Sequence, residues 1–212
     1  SCTSLSRHGS KKVLLMASKK KKLVYLKPIV FLVCLLPFIW LGFSFLTGGL
    51  GVNPIESLLR ELGDWALRFL LLGLAISPLR RITGIAEFMR YRRMIGLYGF
   101  FYAVLHLLVY VVFDHFFDWS TIWTDIVKRP YITIGMAAIL MLIPLAITST
   151  KSMIRKVGGQ RWKKLHWLVF PIGFAGVVHF LLLVKADVRE PLIYGAIFLF
   201  LIGERYYRAK IA

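Results

Sequence analysis

Acidic residues are scarce in this chain: its 212 residues contain 10 Asp and Glu against 28 Lys and Arg, a formal net charge of +18. Cysteine is scarcer still, and 2 cysteines cannot supply the disulfide framework of a small secreted domain. In contrast, 58% of the residues are hydrophobic and the mean hydropathy is +0.70. This composition excludes a soluble domain of this size. Apolar spanning helices joined by charged loops would reconcile the hydropathy with the charge.

Six apolar segments predict membrane helices, and we expect an all-α integral membrane protein with a six-helix bundle over residues 23–208. Most segments approach the roughly 20 residues needed to cross a hydrocarbon core of about 30 Å. The second segment is short, and the amphipathic stretch 55–64 could lengthen it at its N-terminal side. No internal repeat is visible. The segments are 25–46, 65–79, 94–113, 131–150, 165–184 and 191–207.

Residues 1–22 form a polar, basic leader with a short apolar patch, VLLMA. The patch is too short for a secretory signal peptide. Met16 is followed by ASKKKK, which is typical of a translation start, and residues 1–15 would then be an extension. The first membrane helix is expected to act as an uncleaved targeting signal.

The loops differ sharply in charge, which predicts the orientation. The segments 1–27, 80–93 and 151–164 and the C-terminal end carry 22 of the 28 basic residues, with only Glu87 and Glu204 as acids. The opposite side carries 8 acids. The positive-inside rule therefore predicts that both termini are cytoplasmic, which in a bacterium places the protein in the inner membrane with its acidic loops in the periplasm. The charge is a topology signal and a contact for anionic lipids, and nucleic-acid binding is a poor alternative.

Three histidines, His106, His166 and His179, lie within apolar segments. An ionisable side chain inside a membrane is usually functional, and neutral imidazole is a standard axial ligand of haem iron. The plainer interpretation is a buried histidine that is hydrogen-bonded to a carbonyl or a neighbouring helix. For His166, which lies beside two lysines, the plainer interpretation is a residue at the membrane interface.

The depths of two of these histidines match. His106 lies 13 residues from Arg93, or about 20 Å, and His179 lies 15 residues from Lys164, or about 22 Å. Both helices run outward, so the two imidazoles share a level in the outer half of the bilayer. This arrangement favours an axial pair for one haem.

His166 lies 13 residues before His179, about 20 Å towards the cytoplasm. That separation suits a ligand of a second, inner cofactor. On a straight helix the two side chains would point about 140° apart. Pro171, Gly173 and Gly176 lie between them and could kink or rewind the helix.

Two arginines are further candidates for cofactor binding. Arg92 stands at the depth of His166, but a guanidinium has no free lone pair, so it suits a haem propionate or a flavin phosphate better than iron. Arg68 either snorkels to the headgroups or pairs with a propionate of the outer haem. His115 is expected to be solvated at the outer face, and the TST stretch 148–150 to bond helix carbonyls or cap a helix.

Several stretches together resemble the MsrQ (YedZ) family of haem-bearing membrane subunits, within the ferric-reductase-like transmembrane superfamily. They extend over most of the membrane part, roughly residues 35–207. The stretches are GGLGVNP (48–54), LHLLVY (105–110), KRPYITIG (128–135), ITSTKSMIRKVGGQRWKKLHWLVF (147–170) and PLIYG (191–195).

The resemblance implies a b-type cytochrome with one or two haems b, in which His106, His166 and His179 are the haem histidines and Arg92 matches a family arginine. Electrons would pass from the quinone pool or a cytoplasmic flavin reductase to a periplasmic molybdenum enzyme, MsrP, which reduces methionine sulfoxide. The chain would be the electron-transfer subunit, not the catalytic one. FMN is implied by the resemblance alone. The alternatives are a stand-alone metal or quinone reductase and a cofactor-free transporter or assembly factor.

Overall fold

The computed structural model describes residues 26–184 and 186–211, and all regular elements in these ranges are helices. The leader 1–22 and the proposed start at Met16 lie outside the described residues. The described residues divide into two units at the boundary between Trp40 and Leu41, and the bundle described below belongs to the second. An all-α membrane protein is therefore confirmed.

Nine α-helices follow one another along the described residues. A π-helical turn, Tyr110–Asp114, extends the third, and a 3-10 turn, His166–Leu168, joins the seventh and eighth. The helices are α1 (Leu26–Leu46), α2 (Pro54–Thr83), α3 (Phe88–Val109), α4 (Trp119–Lys128), α5 (Pro130–Ile147), α6 (Lys151–Val157), α7 (Gly159–Leu165), α8 (Val169–Leu183) and α9 (Arg189–Ile211).

Five stretches of helix are long and apolar enough to cross a membrane, which makes the chain a multi-pass membrane protein. They are Leu26–Leu46, Pro54–Thr83, Phe88–Asp114, Pro130–Ile147 and Gly159–Leu183. The sixth predicted segment lies in α9, whose 23 residues extend about 35 Å but include Glu204, Arg205 and Arg208 near the C-terminal end. The six-span topology stays a prediction.

Helix α2 begins well before its apolar segment, as the amphipathic stretch 55–64 indicated. The Asn53 side chain accepts a hydrogen bond from the Glu56 backbone N–H, and Pro54 occupies the first helical position. At the other end Gly84 adopts a left-handed conformation, φ 71°, and its N–H bonds the Arg80 carbonyl. Local capping therefore fixes both ends of a 30-residue helix.

The bundle is built from two helix pairs, α2 with α3 and α5 with α8, and α9 packs against both α8 and α2. Its core contains three α2 leucines, Leu67, Leu71 and Leu74, against Phe198 and Leu201 of α9. Between α2 and α3 the Phe69 and Tyr102 rings stack with centroids 5.2 Å apart. The same two pairs supply the site described next.

We predict that Gly173→Ala destabilises the contact between α8 and α9. A Cβ atom at Gly173 would lie 2.6 Å from Cε2 of Phe198, a ring that is only 2% exposed. Overpacking of this kind costs about 1–3 kcal/mol. Thermal unfolding in detergent should show the loss, whereas Gly203→Ala in α9 should not lower stability, since no atom lies within 4 Å of its added methyl group and alanine favours a helix more than glycine does. Equal stability of the two variants would contradict this packing.

The six-span topology predicts opposite reporter results on the two sides of α9. Green fluorescent protein fused after Ile211 should fluoresce, because the C-terminus would be cytoplasmic. Alkaline phosphatase fused after Val188 should be active, because the connection between α8 and α9 would be periplasmic. An active phosphatase after Ile211 would show that α9 does not cross the membrane.

Candidate functional site

His106 projects from α3 towards α2. Its Nδ1 lies 2.8 Å from the backbone carbonyl oxygen of Leu59. A carbonyl oxygen can only accept, so Nδ1 carries the proton and donates it. The neutral ring then keeps its lone pair on Nε2, which is the form that binds metals.

His179 repeats this arrangement on the other helix pair. It projects from α8 towards α5, and its Nδ1 lies 2.6 Å from the carbonyl oxygen of Tyr131. Its proton is fixed on Nδ1 for the same reason, and its Nε2 is likewise an acceptor. Such a partner on the second nitrogen is the usual outer-shell arrangement of metal-binding histidines.

The two imidazoles face each other with ring centroids 6.2 Å apart and planes at 90°. An imidazole nitrogen binds a metal at about 2 Å, so two rings that share one ion from opposite sides have centroids about 6 Å apart. The observed spacing fits that requirement. The structure therefore places His106 and His179 next to each other, whereas their common depth in the membrane stays a prediction.

A cavity of about 710 Å³ opens beside these rings, within the size range of cofactor pockets. Its walls are mostly aliphatic, glycine and alanine residues from α2, α3, α5 and α8. Its polar residues lie towards the bundle end where α2 and α9 begin: Arg60, Asp64, Tyr110, Asp187 and Glu190. An apolar interior with polar groups at one end suits an amphiphilic planar ligand.

The described residues contain no group of three or more His, Cys, Asp or Glu side chains that could hold a bare metal ion. A pair of imidazoles beside a large apolar cavity instead suits a metal whose other ligands come from an organic cofactor. Haem has this property, because its porphyrin occupies four positions and leaves two axial ones.

Arg68 makes different contacts from those expected. Its Nε donates to the Tyr194 hydroxyl at 2.8 Å, Nη2 lies 3.8 Å from Asp64 Oδ2, and the guanidinium covers the Trp65 ring at 4.9 Å. It is not among the residues that line the cavity, whereas Arg60, two turns earlier, is. Sequence reasoning did not single out Arg60, because its solvated position in an amphipathic stretch gave no signal.

His166 lies away from the cavity, in the 3-10 turn before α8. Its Nε2 is 3.4 Å from the Thr148 hydroxyl, and the Trp162 ring covers it at a centroid distance of 4.0 Å. Trp162 Nε1 in turn donates to the Thr148 carbonyl at 3.0 Å. The positive charge of Arg92 acts on His166. Neither His166 nor Arg92 lines the cavity beside His106 and His179.

The 3-10 turn has a local cause in Pro171. Proline lacks the N–H that would bond the carbonyl four residues earlier, that of Trp167, and its ring clashes with that carbonyl. Trp167 lies within the 3-10 turn His166–Leu168. The angle of about 140° calculated for a straight helix therefore does not apply between His166 and His179.

The expectation for the 148–150 stretch is confirmed in both of its forms. Thr148 and Ser149 hydroxyls donate to the carbonyls of Pro144 and Leu145 at 2.6 and 2.7 Å. Thr150 caps α6 by accepting from the Met153 N–H at 3.2 Å.

The expectation of a solvated His115 is wrong. Its side chain is 11% exposed, its Nε2 lies 3.2 Å from Asp125 Oδ2, and its ring packs on Tyr110 at 4.3 Å. Asp125 comes from α4, a helix that sequence reasoning did not identify. The neighbours of His115 in the sequence suggested that its side chain is exposed to solvent. Helix α4, which follows in the chain, covers it instead.

Helix α4 is anchored by Asp118, whose Oδ1 accepts from the backbone N–H groups of Ser120 and Thr121. The Thr121 hydroxyl also donates to Oδ2 at 2.6 Å. These hydrogen bonds stabilise the carboxylate and hold the pKa of Asp118 below its usual value.

The fold and the paired imidazoles define a multi-pass helical membrane protein with a half-buried two-histidine centre. A family model described as the ferric reductase like transmembrane component matches residues 62–177, which begin within α2 and end within α8, just before His179. Relatives named protein-methionine-sulfoxide reductase heme-binding subunit MsrQ occur in Rhodospirillum rubrum and Caulobacter vibrioides. The first is 54% identical over 83% of this chain and 85% of its own length, and the second 50% over 86% and 87%.

The chain therefore belongs to the ferric-reductase-like transmembrane family, on its MsrQ branch. Magnetosome protein MamZ of Magnetospirillum gryphiswaldense is also similar, 45% identical over 90% of this chain, but the match covers only 30% of that longer protein.

Proposed function

We propose that the chain is a haem-binding electron-transfer subunit of a methionine sulfoxide reductase system. The observation that carries the proposal is the pair of facing imidazoles, His106 and His179, 6.2 Å apart with both Nδ1 protons held by backbone carbonyls. Relatives that share about half of this sequence are named as heme-binding subunits of that system.

The residues around the cavity fit haem b. In this proposal His106 and His179 would hold the haem iron, and the aliphatic walls would keep water away from the cofactor. When bound, haem iron supplies one-electron chemistry between its ferric and ferrous states. The carbonyls of Leu59 and Tyr131 hold the imidazoles in the ligating tautomer and increase their basicity.

The arginines near the polar end of the cavity suit the propionate groups. Arg60 lines the cavity and lies 2.6 Å from Glu56, an exposed partner that a propionate could replace. Arg68 is held against Tyr194 and Asp64, so in this proposal it acts by its positive charge at the outer haem edge. Guanidinium groups recognise carboxylates through paired N–H donors.

A second cofactor is proposed at the inner end, with His166 as its ligand. Thr148 and Trp162 orient the His166 ring, and Arg92 provides a cation for a propionate or a flavin phosphate. Loss of haem or loss of flavin in a His166→Ala variant distinguishes a second haem from FMN at this position.

The direction of transfer follows from the charge asymmetry of the loops. The basic loops would face the cytoplasm, where a flavin reductase or the quinone pool would donate electrons. The outer end would deliver them to an MsrP-type molybdenum enzyme that reduces methionine sulfoxide. The chain itself would perform no bond chemistry on that substrate.

We predict that His106→Ala and His179→Ala each abolish the outer haem, because each removes one of its two axial ligands. His115→Ala is a matched control: it also removes a largely buried histidine from the outer half but should retain the full haem content. Pyridine haemochrome quantification and the Soret spectrum of the purified protein measure the outcome. Full haem content in both axial variants, or a colourless wild-type protein, would contradict the proposal.

His166→Ala tests the inner site in the same preparation. Loss of one haem per chain with the outer spectrum intact would identify a second haem. Loss of flavin alone would identify a flavin site, and unchanged haem and flavin would show that His166 is only an interfacial residue.

Electron delivery should depend on the partner enzyme. In proteoliposomes with a reduced quinone or a flavin reductase and NADH as donor, an MsrP-type enzyme should reduce methionine sulfoxide only with the wild-type chain. His179→Ala should stop turnover, and His115→Ala should not. Turnover with ferric chelates but not with the partner enzyme would instead support a stand-alone metal reductase.

A further inference from the structure

We infer that Gly63 and Gly135 are positioning residues of the outer haem site, and that each acts by having no side chain. The inference rests on the proposed function, because the imidazoles they contact are its axial ligands. Gly63 lies on α2 and Gly135 on α5, and neither helix carries one of the two histidines.

The evidence is the space beside each ring. A Cβ atom built on Gly63 would lie 3.1 Å from Nδ1 and 3.2 Å from Cε1 of His106. One built on Gly135 would lie 2.9 Å from Nδ1 and 3.0 Å from Cε1 of His179. Ordinary contacts of this kind start at about 3.4 Å, so alanine at either position would push the ring away from the helix.

The register explains why glycine stands at these positions. Gly63 is four residues after Leu59, and Gly135 is four residues after Tyr131, the two residues whose carbonyls accept the Nδ1 protons. In an α-helix the carbonyl of one residue lies beside the N–H of the fourth residue after it. A side chain on that fourth residue would lie between the incoming imidazole and the carbonyl. Glycine leaves the second lone pair of the carbonyl accessible.

The two helix pairs repeat this arrangement, although no repeat is visible in the sequence. In each pair one helix offers a carbonyl and, four residues later, a glycine, and the other helix offers the histidine. Other close glycine contacts in the described residues involve apolar side chains, as for Gly99 against Leu70 and Gly176 against Leu67. Contact with an imidazole therefore separates Gly63 and Gly135 from glycines that only allow helix packing.

The electronic consequence follows from the hydrogen bond. Donation from Nδ1 to a carbonyl makes the imidazole a stronger electron donor through Nε2, which favours ferric iron. Displacing the ring would lengthen this bond, weaken the donation and favour ferrous iron. The midpoint potential of the outer haem should therefore rise in the alanine variants.

The test compares Gly63→Ala and Gly135→Ala with two matched glycine variants. Gly73→Ala lies on α2 with its nearest atoms at 4.0 Å, and Gly96→Ala on α3 has no atom within 4 Å. Haem content, the g values of the ferric low-spin electron paramagnetic resonance signal, the midpoint potential and haem transfer to excess apomyoglobin are measured on each purified protein.

We expect both site variants to lose haem about tenfold faster, as when outer-shell partners of metal ligands are replaced. Their g values should shift and their potentials should rise, more for Gly135→Ala, whose methyl group would be closer to the ring. Gly73→Ala and Gly96→Ala should match the wild type. If Gly135→Ala does not fold, the test rests on Gly63→Ala, in which the imidazole is displaced less.

Wild-type g values and potentials in the folded site variants would overturn the inference and leave the axial pair in place. Variants that lose thermal stability while their retained haem keeps the wild-type signal would also overturn the inference. That result would indicate that the two glycines serve helix packing alone. A wild-type protein without haem overturns the proposed function and this inference together.

Discussion

The site depends on two hydrogen bonds, from His106 Nδ1 to the Leu59 carbonyl and from His179 Nδ1 to the Tyr131 carbonyl. Each fixes a tautomer, turns a ring and ties a histidine helix to its neighbour. Because a carbonyl can only accept, the lone pair of each imidazole remains on Nε2, and the partner of Nδ1 is a carbonyl and not a carboxylate. A neutral acceptor is well suited to a membrane interior, where a buried charge would need its own partner.

The same requirement for a partner organises the other polar groups of the bundle. Arg68 is satisfied by Tyr194 and Asp64, and Thr148 bonds the Pro144 carbonyl of its own helix. His166 lies in a different environment from His106 and His179, since its ring is covered by Trp162 and its Nε2 faces a hydroxyl. The chain therefore presents its histidines in two distinct chemical settings, and the proposed roles follow that division.

Much of the fold could be predicted because the membrane imposes a simple rule on composition. Long apolar segments must be helices when no water is present to bond the backbone, so five of the six segments match spanning helices. The prediction for His115 was wrong because its surroundings come from α4, which is short and amphipathic. The 3-10 turn His166–Leu168 lies before Pro171 because proline cannot donate a hydrogen bond to the carbonyl four residues earlier and its ring clashes with that carbonyl.

The sequence by itself determined the membrane class and the family, and it predicted a common depth for His106 and His179, since hydropathy, motif and helical rise can all be read along a chain. Only the tertiary structure decided which groups hold the two imidazoles, where the cavity opens and that Arg60 lines it. The physical reason is that every residue has a backbone carbonyl, so no pattern of side chains marks the two that accept. The role inferred for Gly63 and Gly135 likewise depends on their contacts with a histidine of a neighbouring helix.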